Sequence, residues 1–410
     1  MLIDKVKLYY LYIPALIILF PTFPTILKGQ GEQLIFFVQF ISFIIFTKIK
    51  IPQKQSLTSI LILLSFFFIL CLSIFMDIIK EQVIGGDFVE LCRPIIAFYF
   101  YIFYRYSDFN ILKIEKTFEK LISFVFTILA IYVILEFIFP HLIRPISFFL
   151  YKRESLPILK NKAIGSFSQT YNFAYILILP TIYGLNKYIK TRNYKSLSFF
   201  IICFLSILLS QSRSMYITFA LALASCWFMP IYKKNAKNIF YLIGGIIIIT
   251  IGIYFLYLTY EHEIRNTFAY AITGFELMMK GNNNSVNTRQ EQIDWALHNN
   301  ELIFIGGGIS KGVNRLLESF YSLYYYRTGL VGIFIFFSIL LYTIISAYKI
   351  SKNEFHKGNE ISIFYASLCV FYLVTPIGLL SSCHHDTPKL CLLFYSLMAL
   401  IHRKISLEKK

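Results

Sequence analysis

The sequence predicts an all-α, polytopic integral membrane protein, and three observations carry that prediction. Of 410 residues, 57% are hydrophobic and only 15% are charged, and the mean hydropathy of +0.65 lies outside the range of water-soluble domains. The apolar residues gather into continuous runs of about 20, the length a helix needs to cross a bilayer. Unpaired backbone amides cost several kcal/mol each in hydrocarbon, so only helices or closed barrels span it, and uninterrupted runs select helices over the alternating segments of a barrel.

The runs fall near residues 8–27, 32–48, 57–79, 87–104, 121–140, 170–187, 196–211, 214–231, 238–258, 319–346, 361–381 and 388–402, about twelve spans in one membrane domain over 1–410. The first run is expected to be retained as a span, because a polar Lys28 to Gly31 stretch and another apolar run follow it without a small-residue cleavage site. Alternate loops are basic: Lys5 and Lys7, Lys48 to Lys54, Lys113 to Lys120, Lys187 to Lys195, Lys233 to Lys237, Lys349 to Lys357, and Arg403 to Lys410. Short cytoplasmic loops carry such an excess, which places both termini in the cytoplasm. The net charge of +17 is then explained by topology and by contact with anionic lipid heads, and no nucleic acid partner is expected.

Seven cysteines show no paired spacing, and Cys71, Cys92, Cys203, Cys226 and Cys369 sit inside apolar runs as small packing residues. The chain contains no CxxC pair, HExxH helix or Walker loop, so neither a metal, nor ATP, nor another cofactor is expected.

The side opposite the basic loops carries two long polar segments, 141–169 and 259–318, and loops of such length are commonly functional. Candidate chemistry lies at that boundary. Ser210, Gln211, Ser212, Arg213 and Ser214 form a tight polar turn between two apolar runs. Arg213 there is either an interfacial anchor or an anion ligand, and the flanking serines favour the second, since hydroxyls and a planar fork suit a phosphate. In the second long loop, Arg289 lies one turn before Ile293, with Ile293 and Leu297 sharing a helix face, so Arg289 is expected to point inward. Gly306, Gly307 and Gly308 follow, a sharp turn or a backbone cradle for an anion.

Glu318 precedes the next span, which holds Tyr321 and Arg327. Glu318 is the carboxylate of choice for a general base, with His385, its neighbours His384 and Asp386, and His298 as rivals. Arg93 sits beside Pro94 in the fourth run, one turn after Glu90; it is either half of an ion pair or a lipid-phosphate contact. Phe268, Tyr270, Trp295 and Tyr321 are suited to stacking on sugar rings or to an interfacial aromatic belt.

In order and spacing, the Ser210–Ser214 turn, the large loop with Arg289 and Trp295, the 306–308 glycines, the run from Tyr326 to Gly332, and Gly165 to Ser168 before Asn172 resemble the O-antigen ligase and polymerase superfamily over about residues 85–400. The resemblance implies a multi-span helical fold like that of the glycosyltransferases that use lipid-linked sugars, in the bacterial inner membrane with the site facing the periplasm or exterior. It implies a glycan on undecaprenyl pyrophosphate as donor and membrane lipids as surroundings, and it leaves room for a chain-length-regulating partner. Ligases of this group typically carry a His-Asn type pair just before the span after the large loop. Glu318 and Ser319 stand there instead, which favours a polymerase over a ligase acting on lipid A core. The implied roles are diphosphate stabilisation by Arg213 and Arg289, supported by Arg93 or Arg327, and proton abstraction by Glu318 first and His385 second. A polysaccharide flippase is the competing class.

Overall fold

The structure is a computed structural model that describes residues 5–20, 57–107, 109–143, 145, 162–167, 169–233, 260–281, 284–309 and 317–408. Among these residues it is all-helical, 82% helix without a strand. The first described stretch runs Lys5–Lys7, a π turn at Leu8–Tyr12, and α1 (Ile13–Leu19). There follow α2 (Leu57–Ile79), α3 (Gly85–Tyr106), α4 (Ile111–Ile138), α5 (Thr170–Thr191), α6 (Tyr194–Leu209) and α7 (Arg213–Cys226). The second long loop is itself largely helical, as α8 (Glu261–Thr267), α9 (Ala269–Met279) and α10 (Asn284–Asn299). The chain closes with α11 (Phe320–His356), α12 (Ile361–Gly378) and α13 (Pro388–Glu408).

Among the described residues, four helical stretches are long and apolar enough to cross a membrane: Ile111–Ile138, Phe320–His356, Ile361–Gly378 and Lys389–Glu408. Tyr10–Leu19, Phe67–Ile79 and Tyr194–Leu209 are shorter apolar helices. The runs at 32–48 and 238–258 lie outside the described residues. The protein is membrane-embedded by this measure.

Helix α5 is buried without a break from Asn172 to Asn186, and α12 is buried over nearly its whole length. A helix apolar all round belongs at the centre of a bundle. Helix α5 packs against α6 and α12, α11 against α12, α7 against α12, and α3 against α13. The outer helices keep large apolar side chains on the surface, including Phe124 on α4, Leu221 on α7, and Phe334 and Leu341 on α11, as lipid-facing residues do.

One end of the bundle collects four of the basic segments, those near residues 113–120, 187–195, 349–357 and 403–408. Lys190, near the end of α5, donates to the Asn359 carbonyl at 2.9 Å and to Ser362 Oγ at 3.1 Å. Lys404 of α13 pairs with Glu115 of α4 at 3.1 Å and approaches Glu354 of α11 at 3.8 Å, while Tyr365 of α12 donates to the same Glu115 at 2.7 Å. The α5–α6 turn, the α11–α12 turn, the start of α4 and the end of α13 therefore share one end. The starts of α5, α7 and α11 lie at the other.

Helix α11 is broken at Gly329, whose φ of 60° and ψ of −163° leave the helical region. The amides freed by the break are claimed by the loop: Leu330 N donates to Ile303 O at 2.9 Å and Val331 N to Phe304 O at 3.1 Å, while Gly307 N donates to Tyr326 O at 2.6 Å. An apolar bundle tolerates irregular backbone only where protein satisfies it in this way. This corrects the anion-cradle expectation for Gly306–Gly308. A Cβ on Gly306 would meet the Arg327 carbonyl at 2.4 Å, and one on Gly308 would overlap the Asp77 carboxylate. These glycines admit neighbouring protein rather than a ligand.

Candidate functional site

The end opposite the basic turns contains an open cavity of about 600 Å³. Four helix starts supply much of its wall: Thr170 and Tyr171 of α5, Arg213 and Ser214 of α7, Ser285 and Val286 of α10, and Glu318 and Ser319 leading into α11. Each brings the positive end of its backbone dipole toward the same space. Among the described residues, Lys162, Arg213 and Arg289 add three cations, against the single carboxylate of Glu318. Ile217, Met278, Ile293 and Leu380 form an apolar portion of the lining.

Arg289 is held at three points. Its Nη1 donates to Ser285 Oγ at 2.8 Å, and its Nη2 donates to Glu318 Oε2 at 3.1 Å and to the Ser381 carbonyl at 2.8 Å. One guanidinium thereby ties α10 to the start of α11 and the end of α12. Its buried Nε has no hydrogen-bond partner among the described residues. Glu318 is fixed from behind, because its amide donates to Oε1 of the buried Gln292 at 3.1 Å.

Arg213 opens α7, and its guanidinium lies over the Tyr270 ring at 5.4 Å while the Lys162 ammonium lies at 2.9 Å from the same ring. Burial holds the Lys162 ammonium below its ordinary value, with Arg213 adding to the effect and Tyr270 opposing it. Burial alone would raise the Tyr270 phenol, but the Lys162 and Arg213 charges outweigh it and bring the phenol down. Gln211 adopts a left-handed φ of 51°. Its side chain donates to Thr267 O at 2.9 Å and accepts from Ala271 N at 3.3 Å, pinning α9 over the turn.

Gly274 makes room for the guanidinium, since a Cβ there would sit 2.2 Å from Arg213 Nη1. Because the obstructed group is the tip of a flexible side chain, Gly274→Ala is expected to keep α9 intact and push Arg213 aside. The expected result is a guanidinium displaced from the Tyr270 ring with an unchanged melting temperature, read on the detergent-solubilised protein.

The structure thus brings Arg213, Arg289 and Glu318 to one cavity. It takes the other candidates elsewhere. His385 is fully buried among Phe320, Tyr324, Phe336 and Phe394. Its ring nitrogens have no hydrogen-bond partner among the described residues, although Nε2 lies 3.4 Å from Asp386 Oδ1. It does not line the cavity, and the general-base role considered for it is withdrawn. Arg327 is buried beside the Gly329 break, Trp295 packs on Tyr326 at 5.1 Å, and Tyr321 donates to the Pro376 carbonyl at 2.9 Å; none of the three lines the cavity. The Arg93 side chain lies outside the described residues.

Several lining residues carry no sequence motif: Lys162, Gln169, Tyr171 and Ser381. Lys162 leaves one trace, as a lysine in the long segment opposite the basic loops.

Fold and site together define a class: a membrane-embedded helical bundle with a cationic cavity at one end, suited to an anionic ligand that also has an apolar part. The chain matches no protein-family model and no curated protein sequence.

Proposed function

We propose that the protein is a bacterial inner-membrane glycosyltransferase of about twelve spans, which moves a growing glycan from undecaprenyl pyrophosphate onto the non-reducing end of a lipid-linked repeat unit. In this reading the basic turns face the cytoplasm and the cavity opens to the periplasm or exterior. The observation that carries it is the convergence of Lys162, Arg213 and Arg289 with four helix starts on a cavity that has a single carboxylate among the described residues. That arrangement suits a diphosphate, and the apolar side chains of the lining and of the outer helices suit its lipid tail.

The chemistry follows from where charge develops. The acceptor hydroxyl oxygen bonds to the anomeric carbon of the donor as the bond to the diphosphate breaks, and the lipid pyrophosphate departs with the electron pair. Fixed cations stabilise that growing charge most when they are already in place. Glu318 takes the hydroxyl proton. Before the donor arrives, Glu318 is engaged by Arg289; a diphosphate competing for the guanidinium releases the carboxylate for its work as a base. A single displacement of this kind inverts the anomeric centre.

The test is the surface-polysaccharide ladder of a strain lacking the gene, complemented with wild type, Arg213→Ala, Arg289→Ala or Glu318→Ala at matched membrane levels. Wild type is expected to restore the ladder, and each variant to leave a single capped repeat unit. Long chains retained on the carrier lipid would indicate a ligase, and failure of any repeat unit to reach the outer side would indicate a flippase. A normal ladder from all three variants would remove this cavity as the active site.

A further inference from the structure

We infer that His384 is a positioning residue for Arg289, acting through the turn that follows α12; this rests on the reading of the cavity as the catalytic site. His384 does not line the cavity but stands directly behind Ser381, which does. Its imidazole is fully buried and stacked on the Tyr175 ring of α5, with centroids 4.3 Å apart and planes within 6°. Both ring nitrogens are engaged. Nδ1 lies 2.7 Å from Asn172 Oδ1, while Nε2 lies 3.1 Å from the Gly378 carbonyl and 3.2 Å from Ser381 Oγ. The slot has no slack, since a Cβ on Gly378 would meet Tyr175 Cε2 at 2.8 Å.

The chain of contacts runs from α5 to the cavity. Asn172 fixes the imidazole, the imidazole fixes the turn 378–381, and the Ser381 carbonyl accepts from Arg289 Nη2 at 2.8 Å, the same nitrogen that holds Glu318. An apolar ring would fill the slot and keep the stack on Tyr175, but it would release the turn from the imidazole and leave it to its own bonds from the Ser381 amide and hydroxyl to the Gly378 carbonyl. Burial pushes the His384 imidazole down to about 3, against a partial opposing effect of the Gly378 carbonyl. The ring is therefore neutral and carries a single N–H, which on Nε2 donates to the Gly378 carbonyl and leaves Nδ1 to accept from the Asn172 amide turned to present its nitrogen, without setting a second positive charge behind Arg289. His384 and His385, adjacent in sequence, have different surroundings: His384 braces the cavity, and His385 is enclosed in an aromatic box.

The test is a double-mutant cycle of His384→Phe and Arg289→Ala, with His384→Gln as the conservative variant, in the full-length protein. Two readouts are taken: the rate of glycan extension in membranes, and the melting temperature of the purified protein in detergent without ligand. His384→Phe is expected to lower kcat about 30-fold in the Arg289 background with less than a threefold change in KM, about threefold or less once Arg289 is alanine, and to be partly rescued by His384→Gln. The melting temperature of the double variant is expected to fall no further than that of the worse single variant. Additive losses in both readouts would overturn the inference and leave His384 as ordinary packing. An Arg289→Ala variant with full activity would instead remove the cavity assignment, and the melting-temperature cycle would still decide whether His384 and Arg289 are coupled.

Discussion

Replacing Arg213 with alanine is expected to slow glycan extension by about 10² to 10³-fold, the usual cost of removing a preorganised donor from a developing anion. The guanidinium lies at the first turn of α7, where the backbone amides and the helix dipole already favour negative charge. Its deletion therefore removes the fixed partner of a site built around it. The protein itself should persist: Arg213 has no carboxylate partner among the described residues, and its main neighbour is the Tyr270 face. Membrane level and melting temperature are expected to match wild type while the rate falls. Arg213→Lys retains the charge but loses the planar two-pronged fork, and is expected to recover only part of the rate. A rate unchanged in Arg213→Ala would mean that the diphosphate does not occupy this part of the cavity.

The second large effect is on the fold. Gly306→Ala is expected to destabilise the protein by about 3 kcal/mol or more, from a strained left-handed backbone plus an overpacked contact. Gly306 has a φ of +88°, and its added methyl would lie 2.4 Å from the carbonyl carbon and oxygen of Arg327. Backbone at the α11 break has nowhere to retreat. Gly281 makes the control: its φ is +71° but no described residue stands within 4 Å of a Cβ there, so Gly281→Ala is expected to cost about 1 kcal/mol, the conformational part alone. Melting temperatures of the two variants in detergent separate the terms. Equal losses would show that the approach of the loop to α11 contributes little.

Much of the fold was legible because the constraint on it is one-dimensional. A run of apolar residues long enough to cross hydrocarbon must satisfy its own amides, and only a helix does so. The run at 57–79 coincides with Leu57–Ile79, and that at 361–381 with Ile361–Gly378. The run at 319–346 stops ten residues short of the end of α11, and that at 121–140 begins ten residues after the start of α4. In both cases hydropathy ended where the helix went on into a charged segment, because hydrogen bonding continues past the apolar part. The basic turns were legible as well, and the contacts of Lys190 and Lys404 gather their segments at one end of the bundle.

The site was legible in part. Arg213 and Arg289 stood out because a fixed charge beside an apolar run is costly and calls for a reason. Arg289 and Ile293, expected on one helix face, both line the cavity, whereas Leu297, expected on the same face, is exposed and lies away from it. Glu318 was found for its position at the mouth of a span, but its pairing with Arg289 across 29 residues was not. Neighbourhood in sequence misled for His385, Arg327, Trp295 and Tyr321. Each lies close along the chain to a cavity residue, but the turn of the helix or the packing of aromatic rings carries it to a different environment. Tyr171, Gly274 and Ser381 had no local signature of their role, since each matters only for what stands opposite it.

The sequence by itself therefore determined the solvent, the helical class and the basic pattern that orders the helix ends, because those follow from composition and from forces acting along one chain segment. Tertiary structure decided which charges meet. The cavity draws on residues 162, 169–171, 211–214, 270, 285–293, 318–319 and 380–381, and no spacing rule joins stretches so far apart. Their convergence depends on how the buried helices α5 and α12 pack and on where α11 breaks, and those are settled by side-chain volumes and backbone approach in three dimensions.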